Sequence, residues 1–147
     1  MDQFSLKRKT IIVTGGTGIL GNAFIEAIVE AGGNVGILGR NEKVANERAE
    51  AINKNGGNAL PLIADVTNEE QLRAAKEKAL SHFGKIDGLI NGAGGNMPEG
   101  TLLPNQDIFA MNLQGMKKVT DLNLWGTVIP TQIFGEAIAK GGGGSII

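Results

Sequence analysis

Short apolar runs alternate with longer amphipathic stretches along this chain, and the alternation predicts its elements. TIIVT (10–14) reads as a buried strand. Residues 18–31 follow as a helix, with Ile19, Leu20, Phe24, Ala27 and Ile28 near one face. NVGILG (34–39) is a second strand and 41–54 a polar helix. NALPLIA (58–64) is a third strand, in which Pro61 favours a sheet edge because it cannot donate to a ladder. Thr67-Asn68-Glu69-Glu70 supplies a cap for a helix running to about Phe83, and DGLIN (87–91) is a fourth strand. Strand and helix alternate throughout, which predicts an α/β fold: a doubly wound parallel sheet with helices on both faces.

Beyond the fourth strand the pattern changes. Residues 92–112 are irregular and hold Gly92, Gly94, Gly95, Pro98, Gly100 and Pro104, and a loop of this length is commonly functional or disordered. One long helix is predicted from about Gln114 to Lys140, kinked at Pro130. It is apolar on two faces, Leu122, Trp125, Ile129 and Ile133 on one, and Leu124, Val128 and Ile138 on the other. Such a helix is covered on both sides, once by the sheet and once by later chain or a second subunit. GGGGSII (141–147) resembles a flexible linker in composition. A turn into a fifth strand is the favoured reading, because SII has strand character. The 147 residues then form one domain that breaks off within that fifth strand.

Composition narrows the function classes. A net charge of −1 gives no electrostatic case for nucleic acid or a membrane surface. The short run Lys7-Arg8-Lys9 reads as a solvated lead-in to the first strand. There are no cysteines, which excludes a disulfide framework and any thiolate nucleophile or metal site. The first ten residues, MDQFSLKRKT, lack the apolar core of a signal peptide, and no apolar run approaches membrane-spanning length. A cytoplasmic protein with a small-molecule substrate is the expectation.

The candidate chemistry begins at TGGTGILG (14–21). Gly16-x-Gly18-x-x-Gly21 matches the dinucleotide fingerprint of the Rossmann fold, directly after a strand and at the opening of a helix. The first glycine is expected to permit the tight turn, the second to admit a pyrophosphate, and the third to let helix and strand pack closely. The helix start then offers free N–H groups and a positive dipole end. The second strand ends Leu38-Gly39-Arg40-Asn41, without the carboxylate that holds ribose hydroxyls in NAD sites. Arg40 suits a 2′-phosphate, so NADP is favoured and NAD stays open; the plainer reading is that Arg40 merely ends a strand. Asp65 follows the third strand at the ligand-binding edge of the sheet, where it can accept from the adenine amino group or simply cap a helix. The sole histidine, His82, reads as a solvated residue near a helix C-terminus. No phosphate-loop Gly-Lys-Ser/Thr, nucleophile elbow or metal-ligand spacing occurs.

Together these segments resemble the short-chain dehydrogenase/reductase family. TGGTGILG resembles the family's Thr-Gly-x-x-x-Gly-x-Gly turn, with Ile19 standing where the classical form has glycine. ADV (64–66) matches the segment that meets adenine. FGKIDGLINGAGG (83–95) resembles the strand-four motif, with Asn91-Gly92-Ala93-Gly94 in place of Asn-Asn-Ala-Gly. LNLWG (122–126) resembles the segment carrying the family's active-site asparagine, which falls on Asn123. Within the family, GAGGN and the extended segment before DLNLWGTVIPTQ resemble sugar-acid oxidoreductases of the D-mannonate oxidoreductase or fructuronate reductase type.

The resemblance implies cofactor contacts from Gly15, Gly16, Thr17, Gly18, Ile19, Leu20 and Gly21, from Arg40 and Asn41, from Asp65 and Val66, and from Asn91, Gly92, Ala93 and Gly94. It implies hydride transfer between a nicotinamide and a carbonyl or alcohol carbon. A tyrosine assisted by a lysine serves as acid or base, a serine orients the substrate, and Asn123 binds a relay water at a break in its helix. The chain contains no tyrosine. It therefore reads as an N-terminal fragment, inactive alone, carrying only Asn123 of the four catalytic residues. A non-catalytic dinucleotide-binding or sensor module is the alternative. A methyltransferase fits less well, since the second strand ends without the acidic residue that would hold a ribose. The family resemblance and the two apolar faces together imply a homo-oligomer formed through the 123–138 helix.

Overall fold

A computed structural model describes residues 4–147, so the first three residues of the N-terminal segment lie outside the description. Five strands form one parallel sheet in the order β3-β2-β1-β4-β5. They are β1 (Thr10–Thr14), β2 (Asn34–Gly39), β3 (Ala59–Ile63), β4 (Gly88–Asn91) and β5 (Ser145–Ile146). The helices between them are α1 (Ile19–Glu30), α2 (Glu42–Lys54) and α3 (Glu69–Phe83), then α4 (Leu113–Thr120) and α5 (Gly126–Lys140). This is the doubly wound Rossmann arrangement that the alternation of runs predicts.

The strands are apolar on both faces because both faces are covered. On β1, Ile12 faces one side of the sheet and Val13 the other. On β2, Val35 and Ile37 share Val13's side, while Leu38 joins Ile12. One layer is closed by Ile25 and Ile28 of α1 with Ala45 and Ala49 of α2. The other is closed by Leu72, Ala75 and Ala79 of α3 with Ile133, Phe134 and Ile138 of α5. β3 is an edge strand, as Pro61 requires: Pro61 pairs in register only with Ile37 of β2.

Four expectations change. The buried stripe of α1 is Gly21, Ile25 and Ile28, whereas Ile19 (92% exposed), Leu20 and Phe24 look outward. The contact of Gly21 with the turn before the helix sets the rotation of α1, and hydrophobicity alone does not reveal it. Second, Lys9 is more than a solvated lead-in, since its Nζ lies 3.3 Å from the buried Asp87 carboxylate. Third, the long helix is interrupted by a π-helical turn over Asp121–Trp125, where the Gly126 N–H donates to the carbonyl of Asp121 five residues back. Beyond it, α5 contains Pro130. Fourth, the wider π turn displaces Trp125 from the side shared by Leu122 and Ile129, leaving it half-exposed with Leu124 and Val128. Ile138, assigned from periodicity to that outer face, is buried against the sheet.

The final glycines form a turn. Gly142 and Gly143 both adopt φ of +97°, a left-handed geometry that favours glycine, and β5 then pairs with β4 through Gly88↔Ser145 and Leu89↔Ile146.

Candidate functional site

The C-terminal ends of β1, β2, β3 and β4 meet at one edge of the sheet. Between β1 and β4 the strand order reverses, and in open α/β sheets the crevice at such a switch point binds ligands. A cleft opens here, with the glycine turn and Gly39-Arg40 on one side, Ala64-Asp65-Val66 at its end, and Gly92-Ala93-Gly94 with Leu122 opposite.

The left-handed residue of the glycine turn is Gly15 (φ +67°), one place before the glycine expected to make the tight turn. A side chain at Gly15 would collide with the Gly92 carbonyl at the end of β4. A Cβ on Gly16 would stand 3.0 Å from both Ile37 Cγ2 and the Val13 carbonyl, so this glycine serves close packing. Gly21 meets the backbone of Gly15 directly, and this contact lets α1 start hard against β1. Gly18 is the N-cap of α1 and has no side chain to satisfy the first N–H groups, and no acidic residue occupies the first turn. Exposed donors at a positive helix end form a cradle for an anion. Ile19 and Leu20 contribute backbone here, with their side chains mostly in solvent. A phosphate-bearing dinucleotide fits these residues by its charge and by the space that the missing side chains leave.

Two threonines hold the cradle. Thr14 Oγ1 accepts from the Ala93 N–H at 3.1 Å, tying the end of β1 to the end of β4. Thr17 packs its side chain against Gly39, where a Cβ would stand 2.6 Å from Thr17 Oγ1. Neither side-chain role is legible from the sequence, because Thr14 at the end of β1 and Thr17 in the turn act through contacts with segments distant in the chain. Arg48 of α2 is also unforeseen: its guanidinium donates to the carbonyls of Gly16 and Gly18.

Arg40 stands at the mouth of the cleft with its side chain 77% exposed. Its nearest anionic group is Asp65, with Nη1 to Oδ2 at 3.7 Å, an exposed pairing that contributes little and leaves the guanidinium open to a ligand. The neighbouring Asn41 caps α2, accepting from the Val44 N–H at 3.1 Å, and does not line the cleft. Asp65 accepts from the N–H and hydroxyl of Thr67 at 2.9 and 2.7 Å. Partial burial, the largest single influence, raises its carboxyl pKa. The Thr67 hydrogen bonds and the Arg40 charge together outweigh it and hold the group below the usual carboxylate range. Asp65 is therefore ionised and able to accept. It is not the cap of α3, a role filled by Asn68. Val66 is buried and packs where a Cβ on Gly126 would meet it at 2.8 Å.

The β4 end divides into two parts. Gly92, Ala93 and Gly94 line the cleft, whereas Asn91 does not. Asn91 Nδ2 donates to Thr131 Oγ1 of α5 at 3.1 Å and to the Ile147 carbonyl at 3.2 Å, so its side chain ties β4 to its neighbours. A Cβ at Gly92 would stand 2.8 Å from the Thr14 carbonyl and 3.5 Å from the Phe24 ring. Asn123 lies in the π turn, at the break its motif implies. Its Nδ2 donates to the carbonyls of Gly95 and Val119, both at 2.8 Å, and its Oδ1 accepts from the Gly95 N–H at 3.0 Å. A side chain at Gly94 would run into the same Oδ1. Asn123 thus holds the start of the long loop against the helix.

His82 sits at the C-terminal end of α3, which leads into the N-terminal edge of the sheet, away from the cleft, and its Nε2 lies 3.1 Å from Asn58 Oδ1. Among the described residues no group of three or more histidine, cysteine, aspartate or glutamate side chains is arranged to hold a metal, and no helix is long and apolar enough to cross a membrane.

Comparison with known proteins agrees with this geometry. The family model for short chain dehydrogenase matches residues 9–147. The uncharacterized oxidoreductase UxuB of Bacillus subtilis (strain 168) is 34% identical over 151 residues, a match covering 97% of this chain and 54% of that protein. A Haemophilus influenza protein provisionally described as a D-mannonate oxidoreductase, with bound NAD, superposes with a TM-score of 0.81 at 30% identity, over 90% of this chain and 51% of that one. A gluconate 5-dehydrogenase from Burkholderia cenocepacia in complex with NADP and tartrate superposes with a TM-score of 0.86 at 26% identity, over 99% and 54%. The chain spans about half the length of the curated relatives it matches. With a doubly wound sheet, a glycine turn at its switch point and a family match running from Lys9 to the last residue, this chain belongs to the short-chain dehydrogenase family.

Proposed function

We propose that this chain binds a nicotinamide dinucleotide across the C-terminal edge of its sheet and forms the cofactor-holding part of an oxidoreductase that interconverts a carbonyl and an alcohol on a small polar substrate. One observation carries the reading: the side-chain-free turn at Gly15 and Gly18 faces an ionised Asp65 and an open Arg40 in a single cleft. In this reading the cradle takes the phosphates and Asp65 accepts from the adenine amino group. Gly92-Ala93-Gly94, none with a side chain larger than a methyl, form with Leu122 the wall opposite the glycine turn. The cofactor supplies or accepts hydride, and Asn123 keeps the loop after β4 in place beside it.

NADP is the favoured form, because Arg40 has no strong partner within the chain and its planar fork suits a phosphate. The solved relatives hold NAD in one case and NADP in the other, so the preference rests on Arg40. A sugar acid is the proposed substrate class, supported by the likeness to proteins described as acting on D-mannonate and gluconate. The outer face of the α5 region, with Leu124, Trp125 and Val128 half-exposed, is the proposed surface for self-association.

Titration of the chain with NADPH and NADH, followed by nucleotide fluorescence, tests the cofactor assignment. Arg40→Ala is expected to weaken NADPH by about tenfold, the scale of one charge-assisted phosphate contact, while NADH changes little. Unchanged discrimination between the two would defeat the assignment.

A further inference from the structure

Arg48 lies on α2, outside every motif that marks the cofactor site. Its Nη1 donates to the carbonyl of Gly16 and, at 3.0 Å, to the carbonyl of Gly18. The side chain is partly buried, and no ion pair among the described residues involves it. One guanidinium nitrogen therefore spans the turn on either side of Thr17, whose side chain is wedged against Gly39.

Peptide planarity gives this contact a consequence. In a trans peptide the carbonyl and the following N–H point in opposite directions. The Gly16 carbonyl shares its plane with the Thr17 N–H, and the Gly18 carbonyl with the Ile19 N–H. The Gly18 carbonyl also accepts the first bond of α1, from the Asn22 N–H at 3.2 Å, so its plane is held by the helix and by Arg48 together, whereas no backbone N–H among the described residues reaches the Gly16 carbonyl and Arg48 holds it; in both cases the N–H group is turned away from α2. Neither N–H donates to a backbone carbonyl among the described residues, and Ile19 is the first residue of α1, where no intrahelical acceptor exists. The two free donors are thus held in a fixed orientation, and the positive charge of Arg48 adds to the field at the helix start.

We infer that Arg48 is a positioning residue for the cofactor's phosphates: by fixing the peptide plane at 16–17 and reinforcing the one at 18–19 that α1 already orients, it aims the Thr17 and Ile19 N–H groups at phosphate oxygens. The inference rests on the dinucleotide-binding reading above. It concerns the phosphate-bearing part of the ligand, so ADP and adenosine, which differ only in the phosphates, separate it from a general role in stability.

The test is amide NMR of the nitrogen-15-labelled chain titrated with each ligand. In the unsubstituted chain the Thr17 and Ile19 amides are expected to shift with ADP and to stay in place with adenosine. Arg48→Met is expected to raise the Kd for ADP by about tenfold while leaving adenosine within about twofold, the scale of losing a charge-assisted orienting contact. Arg48→Lys, whose ammonium can donate to both carbonyls, is expected to recover most of the ADP affinity. Equal weakening of both ligands, no weakening, or a failure of the Thr17 and Ile19 amides to respond to ADP in the unsubstituted chain would overturn the assignment of Arg48. If the unsubstituted chain binds neither ligand, the dinucleotide reading falls, and this inference falls with it.

Discussion

Asp87 shows what a single residue does for the frame that holds the site. It is buried at the start of β4, where its carboxylate accepts from the Thr10 N–H at 3.1 Å and meets Lys85 Nζ at 2.8 Å and Lys9 Nζ at 3.3 Å. Burial, the largest influence, pushes its pKa up. The hydrogen bond from Lys85, with those from Thr10 and Lys9 and the Lys9 charge, overcomes that effect and leaves the pKa lowered. A carboxyl with a depressed folded-state pKa stabilises the fold in full above the unfolded value. That contribution is lost as pH falls through the folded one. Asp87→Ala strands the Thr10 N–H and is expected to cost about 1–3 kcal/mol in urea denaturation at neutral pH. The gap between variant and unsubstituted chain is expected to narrow below roughly pH 4, and a gap that persists there would contradict the assignment. The sequence places Asp65 after β3, at the ligand-binding edge, and Asp87 at the opening of the β4 run; it does not show that Asp87 is buried against the Thr10 N–H and two lysines, contacts that only the fold brings together.

At the scale of elements, the π turn and the loop before it act together. The loop after β4 is fastened at one end by Asn123 on Gly95, and further along by Gly115 of α4, where a side chain would collide with the Glu99 carbonyl. Asn123→Ala removes the two side-chain hydrogen bonds to Gly95 at the first of these points, together with one to Val119 in the preceding turn. Amide exchange in residues 95–112 is expected to accelerate by about tenfold, corresponding to the loss of roughly one hydrogen bond's net stabilisation, while β1, β2 and β3 exchange as before. Uniform acceleration would show instead that Asn123 supports the whole fold. The existence of strands and helices was readable from their apolar periods, and Pro61 placed β3 at the edge correctly. The rotation of α1 and the offset of Trp125 were not readable. The first is set by a glycine contact and the second by an extra residue within a turn, and neither alters the local hydrophobic composition.

The whole molecule brings together residues that lie far apart in the chain. Gly15, Arg40, Asp65, Gly92 and Leu122 share one cleft because parallel strands send every βα connection to the same edge. A chain of these 147 residues is expected to bind nucleotide without turning it over, since it has no tyrosine to serve as acid or base in the family's manner. Measurable NADPH oxidation with a sugar-acid ketone would refute this. The half-exposed Leu124, Trp125 and Val128 predict association at raised concentration, reduced by Trp125→Arg and measured by sedimentation; a strictly monomeric chain would remove the proposed surface. The sequence by itself determined the α/β alternation, the glycine turn after β1, the absence of a carboxylate after β2 and the family, because these reside in local periodicity and closely spaced glycines. The tertiary structure decided that Gly15 rather than Gly16 takes the left-handed conformation, that Asn41 and Asn91 direct their side-chain hydrogen bonds to the scaffold, and that Arg48 reaches the glycine turn. Each of these depends on a contact or a backbone rotation set by packing between segments distant in the chain, and no spacing within one segment encodes such a contact.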